Sequence, residues 1–212
     1  YILEIMSRKL NIIIIGLLTT IMAAAVPYCD IRKFSIIDGL AANTVADMKQ
    51  GKDKLMWFGT WNGISYYDGY TFHTFRDEPD KEDILSTNRI LQIEPATNNN
   101  LWCVTNDRQL YVYDTHICQF VQVGKEINKK YGIDLRVKNI YALNNGRIWI
   151  TSDDGDYAIR AIGPVVNDKE PELIRVGQKG LRSGKIWFVH SDKRGREWVM
   201  TDKGTMIYGH KF

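Results

Sequence analysis

The sequence predicts an all-β chain, built of about four four-stranded β-propeller blades behind an N-terminal signal helix. Three observations carry this. Trp57, Trp102, Trp149 and Trp198 recur at intervals of 45, 47 and 49 residues. Each opens a strand of the form Trp-apolar-x-Thr, with Trp149-Ile150-Thr151-Ser152 the loosest copy. Beyond the first 26 residues no segment keeps a helical period. A repeat in the mid-forties, each unit a set of short strands, is the pattern of propeller blades, which bury their faces only by stacking on neighbours.

The first element is a leader over residues 1–26. Arg8 and Lys9 precede an apolar run from Ile12 to Val26 that closes on Ala23-Ala24-Ala25. A positive start, an apolar middle and a small-residue end read as a secretory signal peptide. The run is shorter than the roughly 20 apolar residues of a spanning helix, so an uncleaved anchor is the second reading. Met6 is the expected start, with Tyr1 to Ile5 as upstream read-through. Cys29 follows Val26-Pro27-Tyr28, which lacks the small residue a lipoprotein site needs.

The blades occupy residues 31–212. In the first, Thr44–Lys49, Leu55–Thr60, Ile64–Tyr67 and Thr71–Phe75 read as four strands. Asn62-Gly63 and Asp68-Gly69 are the turns between the later ones, Asn-Gly being a strong hairpin signal. Matching first strands begin near Asn88, Lys138 and Lys185. Gly63, Gly69, Gly155 and Gly204 are expected to supply positive φ in turns, and the repeat Trp side chains to fill the wedge between blades. Ile31–Ile36 reads as an orphan outer strand, and Lys125–Tyr131 as one helical turn in a long blade link. About four blades fit at roughly 45 residues each. An incomplete larger ring is the first reading, and a closed four-blade ring the alternative.

Composition narrows the function. A formal net charge of +3, with no basic stripe, gives no footprint for nucleic acid. No His or Cys pair has metal spacing, and neither a phosphate loop nor a Gly-x-Ser-x-Gly elbow occurs. No cofactor and no catalytic residue is therefore assigned. Cys103 and Cys118 fall on strands separated by a third, about 10 Å apart at sheet spacing, beyond the reach of a disulfide. Free, mostly buried thiols are expected. Ser191 to Trp198 approaches the Asp-box turn of sialidase propellers, but Lys193 stands where that motif has Asp. An ordinary hairpin is the preferred reading there.

The unit Asp38-Gly39-Leu40, Asn43-Thr44-Val45, Leu55-Met56-Trp57-Phe58-Gly59-Thr60, Asn62-Gly63-Ile64, Tyr67-Asp68-Gly69, Phe72 and Phe75 resembles the two-component regulator propeller repeat. That repeat builds the periplasmic sensor of Bacteroidetes hybrid two-component histidine kinases. The resemblance runs from about residue 31 to the end. It implies a periplasmic sensor, an inner-membrane protein when full length, that responds to polysaccharide breakdown products. It also implies a later transmembrane helix and kinase, neither of which is present here. The four His residues sit in strand or turn contexts, none suited to phosphoacceptor chemistry.

Loops between second and third strands, and links between blades, open on one face of a propeller. They bring Trp61, Asn62, Asn106, Arg108, Asp153, Asp154 and Asp202 together there, with Asn43, Asn88 and Arg136 from the links. An indole with amide, carboxylate and guanidinium groups suits sugar hydroxyls. The plainer reading is polar turn chemistry residue by residue. The expected partners are an oligosaccharide and, in the full-length protein, a second copy. A secreted lyase or glycosidase using Asp153 or Asp154, and an interaction scaffold without a small ligand, are the rivals.

Overall fold

The computed structural model describes residues 2–23, 30–76, 85–115, 117–153, 155–160, 173–176 and 185–208. They fall in two units, Tyr1–Lys33 and Phe34–Phe212. The first unit carries helix α1 (Ile2–Ala23). Among the described residues no helix is long and apolar enough to cross a membrane. Residues 24–29, which include Ala24 and Ala25 of the leader's small-residue end, lie outside them.

The second unit is a series of antiparallel meanders. β1 (Val45–Gln50), β2 (Met56–Thr60), β3 (Gly63–Tyr67) and β4 (Phe72–Phe75) form the first sheet, in that order. β5 (Ile90–Pro95), β6 (Leu101–Thr105), β7 (Leu110–Asp114) and β8 (Gln119–Val121) form the second. Helix α2 (Val123–Tyr131) follows, then a third sheet of β9 (Val137–Ala142), β10 (Arg147–Ser152), β11 (Asp156–Arg160) and β12 (Leu173–Val176). The fourth has β13 (Ile186–Ser191), β14 (Glu197–Thr201) and β15 (Gly204–Tyr208) among the described residues. The first strands β1, β5, β9 and β13 lie beside one another in sequence order. This is the radial arrangement of propeller blades.

Three of the four repeat Trp residues, Trp57, Trp102 and Trp149, face forward, toward the next sheet. Trp57 packs with Ile90, Ile93 and Tyr113 of the second sheet. Trp102 packs with Ile140, Ile150 and Tyr157 of the third, and Trp149 with Val189 and Val199 of the fourth. The three indoles are almost fully buried. Those of Trp102 and Trp149 have no hydrogen-bond partner for Nε1 among the described residues, so they act as packing volume. At Gly59 an added Cβ would come within 2.9 Å of Ile90 Cγ2; its missing side chain lets the second blade close on the first.

Burial along the second strands records the same stacking. Every residue of β6 is buried, because that sheet is covered on both faces. In β14 burial alternates: Glu197, Val199 and Thr201 are buried, while Trp198 is half-buried and Met200 exposed. The same face of the fourth sheet also shows Phe188 of β13 and Ile207 of β15, 49% and 51% exposed.

Polar staples tie neighbouring blades. Asp47 accepts from the Ile93 N–H at 3.0 Å, and Lys49 Nζ pairs with Glu94 at 2.9 Å. Gln92 bridges to both main-chain groups of Ile140. Asn144 donates to Ser191, and Asn145 and Arg147 reach Glu197.

Two local readings are corrected. Ile31–Ile36 forms no strand: Ile36–Asp38 is a 3₁₀ turn closed by a Ser35–Asp38 capping box. The side chain of Phe34 instead packs on Tyr67 and Phe72 of the first blade. The capping chemistry of Ser35 and Asp38 won over a short apolar run. The expected helical turn is longer, a nine-residue α2, because Val123 and Ile127 bury one face and Gly132 closes its end. Gly63, Gly69, Gly155 and Gly204 all take positive φ, as expected. Cys103 and Cys118 are free thiols, the first buried and the second exposed. His73 and His190 lie in strands; His116 and His210 fall outside the described residues.

Candidate functional site

The loop face is built by one repeated device. The fourth residue of each Trp motif closes the turn after its strand. Thr60 Oγ1 donates to Gly63 O, Ser152 Oγ to Gly155 O and Thr201 Oγ1 to Gly204 O. The next residue then donates its N–H to the preceding blade link, 17 positions back: Trp61 to Thr44 O, Asn106 to Arg89 O, Asp202 to Lys185 O. Main-chain closure thus fixes where each loop side chain stands.

Trp61 is 51% exposed, and the Arg89 guanidinium lies over its ring at 3.8 Å. This is a cation–π stack. Since the main chain of Arg89 also holds Asn106, these residues of the first two loops form one group. Arg108 takes φ +64, and its carbonyl accepts from Val137 N–H of the third blade. Its guanidinium meets Asp153 at 3.4 Å, and Lys138 Nζ reaches the same carboxylate at 2.9 Å. The Lys138 hydrogen bond, helped by the charges of Lys138, Arg108 and Arg136, holds Asp153 below the ordinary carboxylate range against a smaller opposing effect of burial. Asn62 donates its N–H to Thr60 Oγ1 and lines a cavity of about 590 Å³ with Ile36, Asn43 and Arg76. Asp202 accepts from Lys185 N–H, as a local turn residue of the fourth blade. Asp154 lies outside the described residues. Asn88 O holds Gly63 N–H, and Arg136 sits 3.8 Å from Asp134.

The sequence reasoning missed a second cavity of about 570 Å³, between α2 and the second blade. Gln109, Tyr111, Gln122, Lys125, Asn128 and Lys129 are among its walls. The only sequence signal was the polar face of the link helix. The Asp-box-like segment is a hairpin in which Asp192 accepts from Arg194 and Arg196 N–H, Arg196 Nε and Trp198 Nε1. Partial burial opposes its ionisation, but those bonds hold it well below the usual carboxylate range. Among the described residues no cluster of metal-ligating side chains occurs.

Comparison with known proteins places the architecture. The fold is a β-propeller fold shared with extracellular domains of bacterial two-component systems. One such domain, of a hybrid two component system from B. thetaiotaomicron, is 20% identical over 86% of this chain and 26% of its own length, with a TM-score of 0.58. YCF48 from Cyanidioschyzon merolae is 14% identical over 69% of this chain and 47% of its own, with a TM-score of 0.50. Histidine kinase P4 of Formosa agariphila is 36% identical over 55 residues, which are 26% of this chain and 4% of the kinase. The chain thus spans a small part of each two-component protein it matches. No family model matches it.

Proposed function

We infer that this chain is the ligand-sensing region of an exported two-component sensor, lying in the periplasm and binding a polysaccharide-derived ligand on its loop face. The single observation that carries the sensor role is the sensor-domain fold, seconded by the stretch of kinase-like sequence. The exposed forward face of the fourth blade, beside forward faces buried in the other three, supports a larger ring of which residues 31–212 are part. On this reading the kinase, and any homodimer, belong to the full-length protein.

The loop face supports the ligand reading. Trp61 offers an aromatic surface, Asn62 and Asn106 amides, Arg108 and Asp153 a charged pair. A general-acid role is disfavoured at Asp153. Its carboxylate is bound to two cations and its pKa is lowered, the opposite of what a general acid needs.

Calorimetry of the protein with oligosaccharides released from polysaccharides tests the binding reading. Saturable heat that weakens in Trp61→Ala is the expected result; turnover of the sugar would return the enzyme reading. In the encoding gene, continuation of the repeat toward a membrane helix and kinase is expected.

A further inference from the structure

We propose that Asn62 is a site of spontaneous covalent modification: in the folded chain its side-chain amide is converted to aspartate and isoaspartate, which puts a new carboxylate on the loop face. An Asn-Gly step occurs twice, at Asn62-Gly63 and at Asn145-Gly146. In both, the glycine has no side chain to shield its nitrogen. That nitrogen attacks Cγ of the asparagine; a C–N bond forms, ammonia leaves and a cyclic imide results. Water then adds to one of the two ring carbonyls and reopens the ring as aspartate or isoaspartate. No oxidant or reductant takes part.

The structure separates the two steps. The Asn145 amide is clamped at both ends: Nδ2 donates to Glu197 Oε1 at 2.8 Å, and Oδ1 accepts from Arg147 N–H at 3.1 Å. Ring closure there must break both bonds, one of them to a charged acceptor. Asn62 is exposed, and its side-chain amide makes no hydrogen bond among the described residues. Only its main-chain N–H is engaged, with Thr60 Oγ1. The residue borders the cavity of about 590 Å³ that Arg76 also lines, so water reaches it. The glycine nitrogens are alike in that each gives its N–H to one carbonyl, Gly63 to Asn88 O and Gly146 to Leu143 O. Each step therefore needs one local opening, and the side-chain clamp makes the difference. The equivalent turn position of the second blade holds Asp107, so the aspartate product suits the fold. The isoaspartate product adds a main-chain carbon between two bonds that tie this turn to the blade links, Trp61 N–H to Thr44 O and Gly63 N–H to Asn88 O.

The test is peptide mass spectrometry of the whole chain aged in mildly alkaline buffer, with isoaspartyl methyltransferase labelling to tell isoaspartate from aspartate. In the folded chain Asn62 is expected to convert at least about tenfold faster than Asn145, which must first free two hydrogen bonds. In denaturant only the shared Asn-Gly sequence remains, and the two rates should converge. Asn62→Gln should remove the label from that turn and leave the rate at Asn145 unchanged, with melting curves showing the variant folded. Equal rates in the folded chain, or faster conversion at Asn145, overturn the proposal. So does an Asn62 that converts in denaturant but not in the folded chain. A rate difference of the same size in denaturant also overturns it, because the neighbouring sequence and not the fold would then set the rates.

Discussion

Gln92 and Ile140 are joined across the boundary of the second and third blades by a two-point bridge. The Gln92 amide donates to Ile140 O at 2.6 Å, and its oxygen accepts from Ile140 N–H at 2.9 Å. One side chain thereby takes the place of a strand partner for a main chain that has none on that side. Gln92→Leu strands both groups of Ile140 in a half-buried setting. A loss of about 1–3 kcal/mol is expected in urea unfolding, with Gln92→Glu intermediate because it keeps the acceptor.

The forward-facing indoles should differ by position. Trp149 is wholly buried between the third and fourth blades, so Trp149→Ala is expected to cost about 3–5 kcal/mol. Trp198 occupies the same motif position but is half-buried. Its replacement should cost clearly less in the same thermal or urea melts. Equal losses would contradict forward stacking.

The two described thiols should separate in reactivity. Burial raises the pKa of the Cys103 thiol far above its ordinary value, whereas Cys118 is exposed. With a thiol-alkylating reagent, peptide mass spectrometry should find Cys118 modified in the native protein. Cys103 should react only after denaturant opens the blade.

Asp153 gives a pH dependence of known sign. Its pKa is depressed in the folded chain, chiefly by Lys138. The stabilisation is therefore present above the unfolded-state value and lost as pH falls through the lower folded one. Asp153→Asn should lower the melting temperature near neutral pH. The difference from the unmodified protein should vanish in strong acid.

Much of the fold was legible because propeller stacking writes itself as a period: an indole must recur wherever a new blade needs a wedge. Residues whose role is main-chain closure were legible as turns but not as a ladder. Nothing in Trp61, Asn106 and Asp202 as residue types shows that they bond 17 positions back. Gln92 was invisible for a related reason, since its partner is a backbone and leaves no complementary side chain in the sequence. The cavity under α2 depends on where a nine-residue helix settles, which its polar face alone does not fix. Ile31–Ile36 was misread because apolar residues in a short run look alike, whether they pair as a strand or pack singly, as Phe34 does.

The forward orientation of the indoles has a consequence for assembly. As the chain emerges from its N-terminal end, each newly made blade presents an uncovered hydrophobic wedge until its successor arrives. Growth is therefore directional, and every blade acts as the template on which the following one condenses. A pause in synthesis or passage between two blades would leave one indole surface bare, so the blade boundaries are where a holding chaperone has most to protect.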